Sequence, residues 1–288
     1  VPRGADVKVN VKPRMKSDVN GAVSGETIAL FIDHTAAAND ATGTGSVRAR
    51  GVVSSHNLAA NDGDTTAEGE IFIGRSSANS TNFRVTGSFN QTVLSKFASI
   101  TNGGAATGVV PNGVNDIGAF TFAAAPNNNS KDGLNKIFIA DLILTVQATN
   151  VEMSGDGFRL YNKAVGSATS VTCSPYSTSG VALSGTVSGA FHLWCPDLEY
   201  GLMDSTVDPA SSDTLVLLAN VTNANTAAAQ GGNSILQISL NDFTNPTKIG
   251  VAPTRSHIEW RDMDNSSSQT FYWVEYPDTV VNSTTYHG

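Results

Sequence analysis

The stretch that most restricts this chain is Leu134–Ala148, L-N-K-I-F-I-A-D-L-I-L-T-V-Q-A, in which Ile, Leu, Val and Phe follow one another almost without interruption. Its length would suit a helix. The near-continuous apolar run instead fits a central strand covered on both faces, or a strand bent at Asp141. A strand of that kind needs layers of chain on either side, and the segments around it are of the right type. Thr27–Asp33, Gly45–Val53, Gly69–Arg75, Phe83–Ser88 and Ile117–Ala123 precede it, each bounded by Gly, Asn or Asp. Phe158–Asn162, Ala168–Ser174, Val181–Trp194, Thr214–Thr222 and Ser234–Leu240 follow. Only Thr92–Ile100 is ambiguous, with a short helix as one reading.

The chain closes on Ser256–Tyr286, where two arms rich in aromatic and β-branched residues, His257–Arg261 and Thr270–Tyr276, flank the polar run Asp262–Gln269. That pattern predicts two strands and a loop, with Trp260 and Trp273 in opposite arms and able to meet. About fifteen strands with turn-rich connections predict an all-β fold, an antiparallel β-sandwich built as one large unit or two packed ones. Composition agrees: 27 Gly and 25 Asn favour turns, and charged residues are only 15% of the chain. Amides and hydroxyls must then supply much of the polar surface, as suits a secreted protein.

The turn-forming cluster Pro126–Gly133 is the strongest break. It divides the chain into an extended basic arm at 1–17, a first sandwich region at 18–126 and a second at 134–288, unless the two regions are fused. The arm repays inspection. Val7, Lys8, Val9, Asn10, Val11 and Lys12 alternate apolar and polar until Pro13 stops them, which is the period of a half-buried strand. They form either the first strand of the protein's own sheet or a strand that pairs with the open edge of a neighbouring copy. Residues 1–16 hold five basic groups and one acidic group, against 12 basic and 24 acidic in the remainder. An acidic body of this sort argues against nucleic acid as a partner, because phosphate binding needs a basic face. It suits divalent cations or the basic arm of another copy. No apolar run reaches the eighteen residues of a membrane-spanning helix, and Val1 at the start reads as a piece processed from a longer precursor.

Cys173 and Cys195, the only cysteines, are expected to form a disulfide, with two separate buried thiols as the other reading; closing this loop is worth roughly 3 kcal/mol in the chain-entropy model. Catalytic signatures are missing: there is no Gly-x-Ser-x-Gly elbow, phosphate loop, His-Glu-x-x-His or Cys-x-x-Cys, and the chain is read as a non-enzyme. His34, His56, His192, His257 and His287 are scattered, and no partner that would orient one as a base is visible in sequence. Calcium is the cofactor the chain would suit. Hard cations take oxygen ligands from flexible loops, and Asp62 and Asp64, and Asp262 and Asp264, lie in loops of that texture, although neither follows the EF-hand rule. Six Asn-x-Ser/Thr triplets, at Asn79, Asn90, Asn128, Asn220, Asn265 and Asn282, are glycosylation acceptors if the secreting cell holds the transferase.

Several stretches in order resemble a known group of proteins. They are Val11–Arg14, Leu134–Val146, Phe158–Asn162, Asp213–Thr222 and the closing pair Ile258–Asp262 and Tyr272–Pro277. Together they resemble the β-sandwich segments of large secreted surface proteins of candidate-phylum, Patescibacteria-type bacteria. An insert around Thr35–Thr65 and the cysteine pair depart from that pattern. The resemblance implies an extracellular, cell-surface structural or adhesive protein, such as a surface-layer or filament subunit. The expected function is therefore self-assembly into a layer or filament by strand donation from Val7, Lys8, Val9, Val11 and Lys12, with other copies of the chain as partners. A surface adhesin or carbohydrate-binding module, in which Trp194, Tyr200, Tyr272 or Tyr276 stacks on cell-surface glycans, is the alternative. A viral coat protein with a basic arm is the third reading.

Overall fold

The computed structural model describes residues 5–16, 20–22, 24–34, 50–55, 83–87, 90–91, 95–126, 136–198, 201, 204–224, 233–240, 247–248, 254–255, 257–263, 270–274 and 280–288. All regular elements among them are strands. The chain divides into two compact units, Glu26–Thr92 and a larger one made of Val1–Gly25 with Val93–Gly288. The smaller unit holds β1 (Thr27–Ile28), β2 (Phe31–His34), β3 (Phe83–Thr86) and β4 (Asn90–Gln91), with β1 antiparallel to β4 and β2 antiparallel to β3. The insert around Thr35–Thr65 falls within it. Of the strand expected at Gly45–Val53, the end turns instead, Val52–Ser54 lying in a turn closed by the Ser55 amide donating to the Gly51 carbonyl at 2.9 Å; 45–49 lie outside the described residues. Gly69–Arg75 lies outside the described residues.

The larger unit begins its strands with β5 (Phe97–Asn102), β6 (Thr107–Val109), β7 (Gly113–Ala124) and β8 (Ile137–Ser154). There follow β9 (Arg159–Asn162), β10 (Val171–Thr172), β11 (Ser174–Ser177), β12 (Thr186–Cys195), β13 (Thr206–Val207), β14 (Ser212–Ala224) and β15 (Ile235–Leu240). After the short pair β16 (Thr247–Lys248) and β17 (Thr254–Arg255), the chain ends in β18 (Ile258–Asp262), β19 (Thr270–Phe271) and β20 (Val281–His287). Of the ambiguous stretch Thr92–Ile100, Phe97–Ile100 belongs to strand β5, and the helix reading fails there because the strand pairs antiparallel with β7; 92–94 lie outside the described residues.

The apolar run becomes β8, the strand on which the sheet is organised. On one side it pairs with β13 at its start and with β12 from Leu142 onward. On the other it pairs in turn with β18, β15 and the end of β14. Leu142, Leu144, Val146 and Ala148 point inward and are buried. The expected irregularity at Asp141 is a bulge: Trp260 stands opposite Ile139 and Glu259 opposite Asp141, which leaves Ala140 as the extra residue.

A second layer, β10-β9-β14-β7-β5, faces the first. Phe97 of β5 meets Trp260 of β18 edge-on at 5.4 Å, and Phe158 meets Phe191 of β12 at 5.9 Å. Gly118 of β7 keeps this contact close, since a Cβ there would lie 3.0 Å from Cγ1 of Ile238 on β15 and that side chain would have to shift. Each large apolar side chain buried in this interface contributes about 1.5–3 kcal/mol. The two layers are one hydrogen-bonded sheet, joined where Val221–Ala224 of β14 pairs with Val151–Met153 of β8. The architecture is the all-β sandwich expected. The break at Pro126–Gly133 does not separate two regions, however, because β7 before it pairs with β14 after it from Ser212 to Val221.

Trp260 and Trp273 do meet: the Trp260 indole Nε1 donates to the Trp273 carbonyl at 2.7 Å, and Phe271 lies against the Trp260 ring at 4.7 Å.

Candidate functional site

The arm is the first element to place. Residues 5–16 belong to no strand, helix or turn and are exposed throughout. Val7, Val9 and Val11 are 55%, 80% and 62% exposed. The reading of Val7–Lys12 as the first strand of the protein's own sheet is therefore corrected. No described strand of the chain offers these residues a partner; the alternation has a strand's period and lacks a strand's hydrogen bonds.

Behind the arm, the chain is tied down by Asp262. This residue ends β18, opposite Ile137, and is fully buried. Its Oδ2 accepts a hydrogen bond from the Ser24 hydroxyl and a second, at 2.8 Å, from the Ser95 amide. Ser24 precedes and Ser95 follows the segment Glu26–Thr92. One carboxylate thus holds the chain on both sides of that segment through charge-assisted hydrogen bonds. Asp262 was expected to offer its oxygens to calcium; here Oδ2 serves serine donors. Asp62, Asp64 and Asp264 lie outside the described residues. Among the described residues no three His, Cys, Asp or Glu side chains gather in a way that would hold a metal ion.

The outer face of the β11–β12–β8 region carries the second concentration of chemistry. Register places Tyr176 opposite His192 and His192 opposite Thr145, with Trp194 opposite Ile143, so these side chains share the face that looks away from the core. The Trp194 indole Nε1 donates to Asp141 Oδ2 at 3.1 Å, while Oδ1 accepts from the Asp197 amide at 2.9 Å. The bulge at Ala140 sits beside Asp141, whose carboxylate fixes the indole. Tyr176 packs against that indole at 6.2 Å, and both rings remain partly exposed. Next to them the His192 ring approaches Thr145 Oγ1 at 3.3 Å and meets the buried His257 edge-on at 5.5 Å. Burial lowers the His192 pKa, because water stabilises imidazolium better than the sheet does. Trp194, His192 and His257 are separate candidates in the sequence; the pairing of β12 and β18 with β8 brings them together with Asp141, a relation that spacing along the chain does not reveal.

Beneath this face lies the disulfide. Cys173 and Cys195 are bonded, with Cα atoms 4.3 Å apart and both residues buried, where Cys173 continues the β11–β12 register beyond the Ser174–Trp194 pair. A further polar group surrounds the start of β8. Lys136 bonds Asp208 at 2.7 Å, which raises the lysine pKa. Burial pushes the Asp213 carboxyl up, opposed by a hydrogen bond from Asn162 and reinforced by Asp204 and Asp208. Tyr161 donates to both oxygens of Asp116 at 3.0 Å, and burial with this contact pushes its phenol to about 12.

The remaining expected residues scatter. Tyr272 is 51% exposed, whereas Tyr200 and Tyr276 lie outside the described residues. Among the glycosylation candidates, Asn282 is exposed on β20 and accepts from the Ser239 hydroxyl, Asn220 is half-buried on β14, and Asn90 lies in β4. Asn79, Asn128 and Asn265 fall outside the described residues. No helix among the described residues is long and apolar enough to cross a membrane.

No protein-family model matches the chain, and no curated protein does either. Solved structures with partial likeness include AvmM, which catalyzes macrocyclization in alchivemycin A biosynthesis, at 12% identity and TM-score 0.23, covering 68% of this chain and 85% of that one. Another is ACE19, the collagen binding subdomain of the Enterococcus faecalis surface protein ACE, at 7% identity and TM-score 0.19, covering 57% and 86%. Superposition this loose carries no argument about activity.

Proposed function

We propose that this protein is an extracellular structural subunit that associates with copies of itself in a layer or filament at a cell surface, using residues 7–12 as a donated strand. The observation that carries the proposal is the exposed, unpaired alternation of Val7, Val9 and Val11 on a segment outside every sheet. Pairing with a neighbour's edge buries the three valines and satisfies the backbone, while Lys8, Lys12 and Arg14 meet an acidic body. Head-to-tail contact of this kind need not close, and then builds open arrays. The disulfide supports an oxidising compartment, and the resemblance to secreted surface proteins points the same way. Electron microscopy and light scattering of the full chain and of a chain lacking residues 1–16 test the proposal. Arrays from the first and monomers from the second are expected; arrays from both would overturn it. Repeating the micrographs with a chelator tests calcium at the Asp62–Asp64 and Asp262–Asp264 loops, and closed shells in place of open arrays would favour a coat protein.

One observation favours a second reading, a glycan-binding surface module: Trp194 and Tyr176 present partly exposed rings, with the indole fixed by Asp141. Aromatic faces beside a polar anchor suit sugar rings. A glycan screen with native protein and Trp194→Ala decides it, binding by the native protein alone being the supporting result.

A further inference from the structure

Resting on the arm-mediated association just proposed, we infer the surface that receives the arm: the outer edge of β6 in a second copy of the chain. β6 pairs with β20 in parallel, and the described residues offer no strand on its other side. The Thr285 amide donates to the Ala106 carbonyl at 3.1 Å, and the Val110 amide to the His287 carbonyl at 3.1 Å. Alternate residues of a parallel strand bond to the same partner, so Ala106, Gly108 and Val110 face β20. Thr107 and Val109 turn their amides and carbonyls away from it.

Open edges are ordinarily guarded by charge, proline or a bulge. The edge at β13 is guarded in this way: Asp204 and Asp208 flank it, and Asp204 Oδ1 accepts from the Thr206 amide at 3.0 Å. β5 follows directly on Lys96. By contrast, Ala105-Ala106-Thr107-Gly108-Val109 carries no charge, and Val109 is 79% exposed. The strand is firmly seated. The Tyr286 ring lies over Gly108 so closely that a Cβ there would come within 2.9 Å of two ring carbons. Pro111, with no amide to give, ends the run. The acceptor is thus a short, neutral edge of 3 strand residues, which the middle of Val7–Val11 is long enough to span. Valines of the arm extend the apolar surface that Val109 begins. Lys8, Lys12 and Arg14 complement a body that is net acidic outside the arm.

Engineered cysteines test the assignment, because both native cysteines are held in the disulfide. Val9→Cys mixed with Val109→Cys and mildly oxidised should give an intermolecular cross-link. Val9→Cys mixed with Val181→Cys, an exposed position on a different edge, should not. Val109→Pro removes an outward amide and should raise the concentration needed for assembly at least about tenfold, with a melting curve to show that the fold persists. Thr107→Lys, which places a charge on the edge, is the second variant should the proline variant unfold. If removal of residues 1–16 abolishes assembly while Val9 and Val109 fail to link and Thr107→Lys assembles normally, the β6 assignment is overturned and the arm proposal stands. If removal of residues 1–16 leaves assembly unchanged, both are overturned.

Discussion

Residues 7–12 and the middle of β8 share a strand's alternation and end in opposite states. From Leu142 to Ala148 every second side chain of β8 is buried in the core, and the backbone is paired with β12 on one side and with β18 and then β15 on the other. Val7, Val9 and Val11 point into solvent from a segment that pairs with nothing among the described residues. Period-2 patterning establishes that a segment can be a strand; it does not say whose sheet the strand joins. The difference lies in supply. β8 is met by five later strands, β12, β13, β14, β15 and β18, whereas no described strand of the chain pairs with the arm. On the strand-donation proposal, an apolar alternation left over in this way joins the sheet of another molecule.

Mutation separates the two regions. Leu144→Ala in β8 is expected to cost about 2–5 kcal/mol through lost burial and the cavity left behind, read as a large fall in the chemical-denaturation midpoint. Val9→Lys in the arm should change stability by less than about 0.5 kcal/mol, as exposed substitutions do, and yet prevent assembly. Equal loss of stability in the two variants would break the contrast. Cysteine replacement comes next: Cys173→Ser with Cys195→Ser should cost roughly 3 kcal/mol from the freed loop of the unfolded chain, checked by denaturation with and without reductant. At the anchor behind the arm, Asp262→Ala leaves the Ser24 hydroxyl and the Ser95 amide without their acceptor and should cost about 2 kcal/mol. Hydrogen exchange should show the opening first at residues 24 and 95.

The smallest effect is one of pH. Burial depresses the folded-state pKa of His192 below its unfolded value of about 6.5. Unfolded chains then bind more protons in the window between the two values, so His192 lowers stability as pH falls through about 6.5 and on to its folded value. Thr145, Tyr176 and His257 surround the ring. His192→Gln should flatten this part of the stability profile while leaving assembly through the arm intact.

Much of the sandwich was legible because its evidence is local. The run Leu134–Ala148 announced β8, and even the bend at Asp141 has its counterpart in the Ala140 bulge. Polar strands were harder. Val281–His287 forms β20, but V-N-S-T-T-Y-H mixes hydroxyl and amide side chains with few apolar ones, and its backbone is paired by β15 and β6 on either side. Pro126–Gly133 looked like a domain boundary, yet it joins β7 and β8, strands of the same sheet. Turn formers mark where a chain reverses, and reversal occurs within a sandwich as well as between domains. The sites depended on distant pairing. Ser24 and Asp262 are 238 positions apart, and Trp194 and Asp141 are 53 apart; no spacing rule connects them until β8 and its neighbours are aligned.

The most direct test of the central claim uses the arm as a ligand. A synthetic peptide of residues 5–16 is titrated into the chain lacking residues 1–16, alongside a peptide of the same composition in scrambled order. Saturable binding of the native peptide, absent for the scrambled one, is the predicted result, since strand addition needs valines at alternate positions as well as positive charge. Failure of the native peptide to bind, or equal binding of the scrambled peptide, would contradict strand donation.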